Sequence, residues 1–279
     1  MGQTSVTSAP VRAFPGKLAD SSARDIDSAR VDAAAGIAPG LVVLRTTAGD
    51  KAAGFPADIA ADVDAIKTNI ASSLSVQNLA TGDFNGAVGA GRIWPPATVT
   101  LVLSSHANWD ATTATLTGLD ENGLPVSESL SIPDTGNATV TSTRYYSRVT
   151  ALSIPAQSGA SGTATLGISA SRTLDGTDVL GVSILDESKT LEVTGSNANN
   201  EVFEDETVMP VLKRGHIFVT PETSYRVGDV PLVRLTAGVG ETLGRVRTNS
   251  TDSGDCVPWR GAYFISSGNA NTPGILRIK

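Results

Sequence analysis

The residues able to do chemistry are few in this chain and stand far apart. A serine nucleophile needs a histidine and an acid brought to it. The sequence holds two histidines, His106 and His216, and no Gly-x-Ser-x-Gly elbow surrounds any serine. His106, in SSHANWD, reads as a loop histidine and His216, in RGHIFVT, as a strand residue. Asp134-Thr135-Gly136 spells the tripeptide of aspartic proteases, but it occurs once and follows Pro133, where it reads as a β-turn. A zinc site needs several Cys or His ligands at regular spacing, and there is one cysteine, Cys256. A reactive thiolate wants a cationic neighbour or a helix N-terminus. Arg260 is close in sequence, yet GDCVPWRG reads as an apolar strand holding a buried, inert thiol.

The glycine-rich stretches follow suit. GAVGAG (86–91) and GVGETLG (238–244) miss the G-x-G-x-x-G spacing, no P-loop lysine follows either, and both read as turns. Asp83, Asp110, Asp120 and Asp175 do not reproduce the D-x-[DN]-x-[DN]-G calcium loop. Asn137-Ala-Thr and Asn249-Ser-Thr fit a glycosylation pattern that means little without a secretory signal. The expectation is therefore no catalytic, no cofactor-binding and no metal-binding residue, no cofactor, and no enzyme.

Composition points the same way. At 40% hydrophobic and 18% charged, 279 residues can bury real cores, and allow one large domain or two ordinary ones. Gly, Ala, Ser and Thr fill the rest, which favours a turn-rich β protein. Net charge is -7, with 21 Lys and Arg that look scattered along the chain, so no grip on nucleic acid is expected. A single cysteine excludes an intrachain disulfide. The opening MGQTSVTSAPVRAF lacks the apolar core of a secretory signal, and the apolar runs are too short to span a membrane. Val6 stands where N-myristoylation wants Ser or Thr.

The elements that would carry any site are strands. From Arg92 to Ile168, runs of Val, Thr, Ile and Leu alternate with turn residues at 120–123 and 134–137. The spacing predicts strands Ala97–Leu103, Thr113–Thr117, Pro125–Ser131, Ala138–Thr141, Tyr145–Ile154 and Thr163–Ile168. Asn122-Gly123 should supply positive φ to a hairpin turn. Before them, GLVVLRT (40–46) is a strand, and SSARDIDSARVDAAAG reads as a solvated arm or a short helix. Ile59, Val63, Ile66 and Ile70 recur at steps of four, three and four, predicting a helix over 57–73. Residues 81–91 read as a glycine-rich hinge. Further strands are expected at Val179–Ile184, Thr190–Thr194, Thr207–Lys213, His216–Thr220, Leu232–Thr236, Leu243–Thr248, Ala262–Ile265 and Gly274–Ile278. No fixed-period repeat is present.

The expected fold is mainly β: two antiparallel β domains, one sandwich-like, with an extended N-terminal arm and at most one or two short helices. The expected division is 1–56 for the arm and first strand, packing with the C-terminal domain; 57–91 for a helix or linker; 92–170 for a β-sandwich; and 171–279 for a C-terminal β domain. Residues 1 to about 35 should make few contacts within their own subunit.

Three stretches resemble the capsid cement, or decoration, proteins of tailed bacteriophages: AFPGKLADSSARDIDSARVDAAAGIAPGLVVLR (13–45), the β region WPPATVTLVL to SGTATLG (94–167), and VLKRGHIFVTPETSYRVGDVPLVRLTAGVGETLGRVRT (211–248). The resemblance implies a non-enzymatic virion protein on the outside of an icosahedral head, bridging subunits of the major capsid lattice. It implies a homotrimer in contact with neighbouring copies of itself, made in the host cytoplasm, with no nucleic acid or membrane as partner. The competing function is a phage head- or tail-fibre adhesin or carbohydrate-binding β module. That would call for solvent-facing aromatics, and Trp94, Trp109 and Trp259 are the candidates.

Overall fold

The computed structural model describes residues 13–19, 24–46, 49–56, 60–104, 108–134, 137–185, 202–236, 241–249 and 256–279. Three strands open the described chain: β1 (Asp25–Asp32), β2 (Val42–Thr46) and β3 (Gly49–Gly54). Seven follow: β4 (Asp62–Ala71), β5 (Gln77–Ala80), β6 (Ala97–Ser104), β7 (Thr112–Asp120), β8 (Pro125–Ile132), β9 (Ala138–Ile154) and β10 (Thr163–Ser171). The last are β11 (Val179–Ser183), β12 (Val208–Val219), β13 (Leu232–Arg234), β14 (Val246–Arg247), β15 (Cys256–Pro258), β16 (Ala262–Phe264) and β17 (Gly274–Ile278). Among the described residues the only helical element is a 3-10 turn, Thr81–Asp83. The strands divide into two compact units, and the chain passes between them at 55–56 and again at 174–175.

The middle unit holds β4 to β10, all paired antiparallel, in the order β4-β10-β6-β9-β7-β8, with β5 on β9. Strand β9 links its two halves. Its first half pairs with β6, from Ala138 opposite Leu103 to Tyr146 opposite Ala97. Its second half pairs with β7, from Tyr146 opposite Asp120 to Ser153 opposite Thr115. One apolar core gathers Ile66 and Ile70 of β4, Val99 and Leu101 of β6, Leu116 of β7, Leu130 of β8, Leu152 of β9 and Leu166 of β10. Residues from both ends of the strand order share that core, so the sheet folds over it as a sandwich. Glu128 of β8 reaches across to β9, where its carboxylate accepts bonds from the Thr143 N–H (2.6 Å) and the buried Tyr146 hydroxyl (3.4 Å). At the β7–β8 hairpin, Gly123 has φ 76°, whereas Asn122 is not among the residues of positive φ. One glycine in the left-handed region closes this loop, and Asp120 Oδ1 accepts from the N–H groups of Asn122 and Leu124.

The helix expected over 57–73 is a strand, β4. Pairing with β10 slips twice, so that Leu166 faces Lys67 while Ile168 faces Asp62. These bulges put neighbours Ala65 and Ile66 inward together, and Ile70 four residues later. Bulged strand spacing thus imitated a helical face; Val63, which a helix would have buried, is 54% exposed. Ile59 lies outside the described residues. The glycine-rich 86–91 stretch packs on the same strand, with Gly86 N–H donating to Ile66 O and Val88 N–H to Ala65 O. A Cβ on Gly86 would collide with the backbone oxygens of Asp64 and Ala65.

The other unit joins both ends of the described chain. Its strand order is β1-β3-β2-β11-β12-β17-β16, and β1 also pairs with β12. Strands β1, β3, β2, β11 and β12 therefore close into a ring, which leaves none of them a free edge over that stretch. Ala29, Val31, Ile37, Val43, Ala53, Phe203, Met209 and Val211 form a core here. The arm expectation fails from residue 25 onward: β1 is hydrogen-bonded on both sides, and Val31 is fully buried. Its charges misled, because Arg30 points outward to Glu206 while Ala29 and Val31 point inward. Residues 16–19 also hold to the unit, with Gly16 N–H on Phe218 O and Ala19 N–H on His216 O. Two further divisions of the sequence merge: 138–154 and 208–219 are each one strand. The strand expected at 190–194 lies outside the described residues.

Candidate functional site

The chemistry candidates remain apart. Asp134 is exposed, and Thr135, Gly136 and His106 lie outside the described residues. His216 sits half-buried in β12, opposite Arg277 of β17. Cys256 is buried in β15, and burial pushes its thiol pKa up against the opposing pull of Arg234 and Arg247. Gly244, with φ 75°, closes a turn in which its N–H donates to Arg234 O. Among the described residues no group of three or more His, Cys, Asp or Glu could hold a metal ion, and no helix is long and apolar enough to cross a membrane.

Two polar arrangements escaped the sequence reading. On β4, Asp62 and Asp64 lie two apart on one face, and the hydrogen bond and charge of Asp62 raise the Asp64 carboxyl pKa. A helix would have turned them apart. Beside the small sheet β14-β13-β15, Arg234 is 1% exposed. Its guanidinium donates to both Glu222 oxygens (Nε to Oε1 2.9 Å, Nη2 to Oε2 2.8 Å) and pairs with Glu241 at 2.7 Å. The Glu222 hydrogen bonds raise its pKa, so the ion stays charged at any working pH. A buried arginine paired on two sides in this way is a structural clamp, and both carboxylates are engaged by it.

The feature best suited to a function is the outer face of β12, β17 and β16. Residues directly opposite one another in an antiparallel sheet share a face. One row is Tyr263–Arg277–His216 and the next is Ile265–Ile275–Phe218. The intervening residues Ala262, Phe264, Leu276, Ile278, Ile217 and Val219 are buried, so these two rows look outward. Arg277 Cζ lies 5.8 Å from the Tyr263 ring centroid and Lys279 Nζ 5.1 Å. Neither cation has a carboxylate partner among the described residues. The loop along the outer edge of β16, held by Gly228 N–H to Phe264 O, adds Val227 and Val230, 64% and 43% exposed. Cations over an aromatic beside exposed aliphatics have the chemistry of a protein-contact surface. Sequence reading missed it because its rows join residues some sixty positions apart. One signal was there: 208–279 carry nine Lys or Arg against five Asp or Glu, so the charges are not evenly scattered.

The chain is thus a two-unit, mainly antiparallel β protein with a buried, paired arginine and a cationic, aliphatic outer face on β12, β17 and β16. The comparison with protein families says which kind. The family described as "Structural cement protein (E217 gp24/Pam3 gp6)" matches residues 131–279, more than half of the chain. The chain belongs to this family of phage structural cement proteins. No curated protein matches it.

Proposed function

We propose that this protein is a non-enzymatic cement protein that sits on the outside of an icosahedral phage head and bridges subunits of the major capsid lattice. The observation that carries the reading is the family match over 131–279. It is made in the host cytoplasm and attaches as a homotrimer, with 1–56 and 171–279 working as one domain and 92–170 as another. A head packed with DNA bears an outward load, and a part that binds only the assembled lattice stabilises that state by mass action. Many identical weak contacts then act as one strong attachment. The adhesin reading has less to stand on: Trp94, Trp109 and Trp259 are 3%, 3% and 6% exposed, so none offers a stacking platform for a sugar.

The test is cosedimentation of the purified protein with empty expanded heads and, separately, with unassembled capsid protein. A site spanning two or more subunits predicts saturable binding to heads and little to free subunits. Equal binding to both removes the reading, and saturable binding to a host glycan instead moves it to the adhesin.

A further inference from the structure

We infer that the outer face of β12, β17 and β16 is the surface through which one copy of this protein grips the acidic surface of the next. The inference rests on the homotrimer in the reading above and says what holds the copies together.

Three observations carry it. First, Arg277 and Lys279 stand on this face over Tyr263 with no carboxylate partner among the described residues, so their charge is available to a neighbour. Second, the complement is in the chain itself. Residues 1–207 carry twelve Lys or Arg against twenty-three Asp or Glu, whereas 208–279 have a basic surplus. A second copy therefore brings a net acidic charge to a face of the opposite sign, and steers into register as it approaches. Third, the cations lie beside Ile265, Ile275 and Phe218, with Val227 and Val230 on the adjoining edge. An aromatic and aliphatic centre with charges around it is the anatomy of a protein interface. A polyanion such as nucleic acid fits less well, because two cations beside an aliphatic row give little phosphate charge to neutralise.

A face that meets a different face on its neighbour makes a head-to-tail contact, and a closed ring of such contacts uses every copy alike. The residues are at the surface, and the interior side of the same strands is filled by Phe264, Leu276 and Ile278. Changing the outer charges therefore leaves the fold intact.

The experiment is sedimentation velocity of the full chain, wild type and Arg277→Glu with Lys279→Glu, at low and high salt, with cosedimentation on expanded heads alongside. Thermal melting of the variant checks its fold, and Arg277→Gln with Lys279→Gln serves as a milder pair. The wild type should be trimeric and dissociate at least tenfold more readily at high salt. The Glu variant should be monomeric at every salt concentration, with unchanged melting, and should still bind heads more weakly through single contacts. A variant that stays trimeric overturns the inference. If that trimer also loses head binding, the face belongs to the capsid contact, and the cement reading survives without this one. A wild type that is monomeric throughout overturns the inference while leaving head binding to be judged separately.

Discussion

The two units solve the same problem by different means. The sandwich of β4 to β10 rests on one continuous apolar core. The unit built from both ends of the chain has a core around Val31 and Met209, buries further apolar side chains such as Phe264 and Leu276 outside it, and adds a buried Arg234 paired with Glu222 and Glu241. Apolar packing loses stability a methylene at a time when trimmed. A buried ion fails abruptly, because removing its bidentate partner leaves a charge out of water with too little compensation. The lesson is that one unit is graded in its response to change and the other is brittle.

The sharpest way to break that comparison is Glu222→Ala. Losing the bidentate partner of Arg234 should cost about 4 kcal/mol, and calorimetry should show the transition of the terminal unit falling while that of the sandwich holds. Arg234→Met with Glu222→Leu should recover most of the loss, since both ions then go together. If the single change is as mild as a surface substitution, the brittle half of the comparison falls. Leu116→Ala in the sandwich core should cost about 3 kcal/mol and lower only the sandwich transition in denaturant melts.

Gly123→Ala is a smaller probe of the sandwich. A Cβ there meets open space, so only the φ of 76° resists it, and the loss should be about 1 kcal/mol. Urea midpoints measured on the variant decide it.

The smallest effects are titrations, and the two units should show opposite signs. In β1, the hydrogen bond and charge of Lys213 hold the Asp27 carboxyl at about 2, below its ordinary 3.8. Its stabilisation is present above the ordinary value and is lost as pH falls through about 2. Asp27→Asn should therefore lower Tm at pH 7 and converge with wild type near that acid limit. In β4, Asp62 raises the Asp64 carboxyl pKa, so Asp64 favours folding below its ordinary value and stops doing so as pH rises through the raised one. Asp62→Asn should raise Tm slightly at pH 7 and do nothing at pH 3. Tm against pH for both variants is the measurement, and like signs would refute the assignment.

What could be read from the sequence follows from where the information sits. The alternation in Val99, Leu101 and Leu103 marks β6, and each of these is buried as a one-sided strand requires. The same rule failed on β4, where bulges broke the period of two and left a false period near 3.6. It failed on β1 because the outward residues are charged and the inward ones small, so the strand looked like a solvated arm. Arg234 was unreadable because its partners lie twelve residues upstream and seven downstream, in loops. The outward rows of β12, β17 and β16 exist only after the sheet has formed, so a family resemblance could suggest the role but not the face.

The double passage of the chain, at 55–56 and at 174–175, sets a timetable for biosynthesis. Strands β1, β2 and β3 leave the ribosome first, yet β11 and β12, which close their ring, are made only after residues 56–174. At ~5–20 residues per second that wait is on the order of 10 s. The inserted sandwich has all its partners by then and can fold meanwhile. During that interval the nascent N-terminal strands have unpaired edges, the kind of exposure that recruits a chaperone or seeds a misassembled pair. A polypeptide arrested at residue 175 should thus contain a folded sandwich carrying a protease-sensitive N-terminal segment.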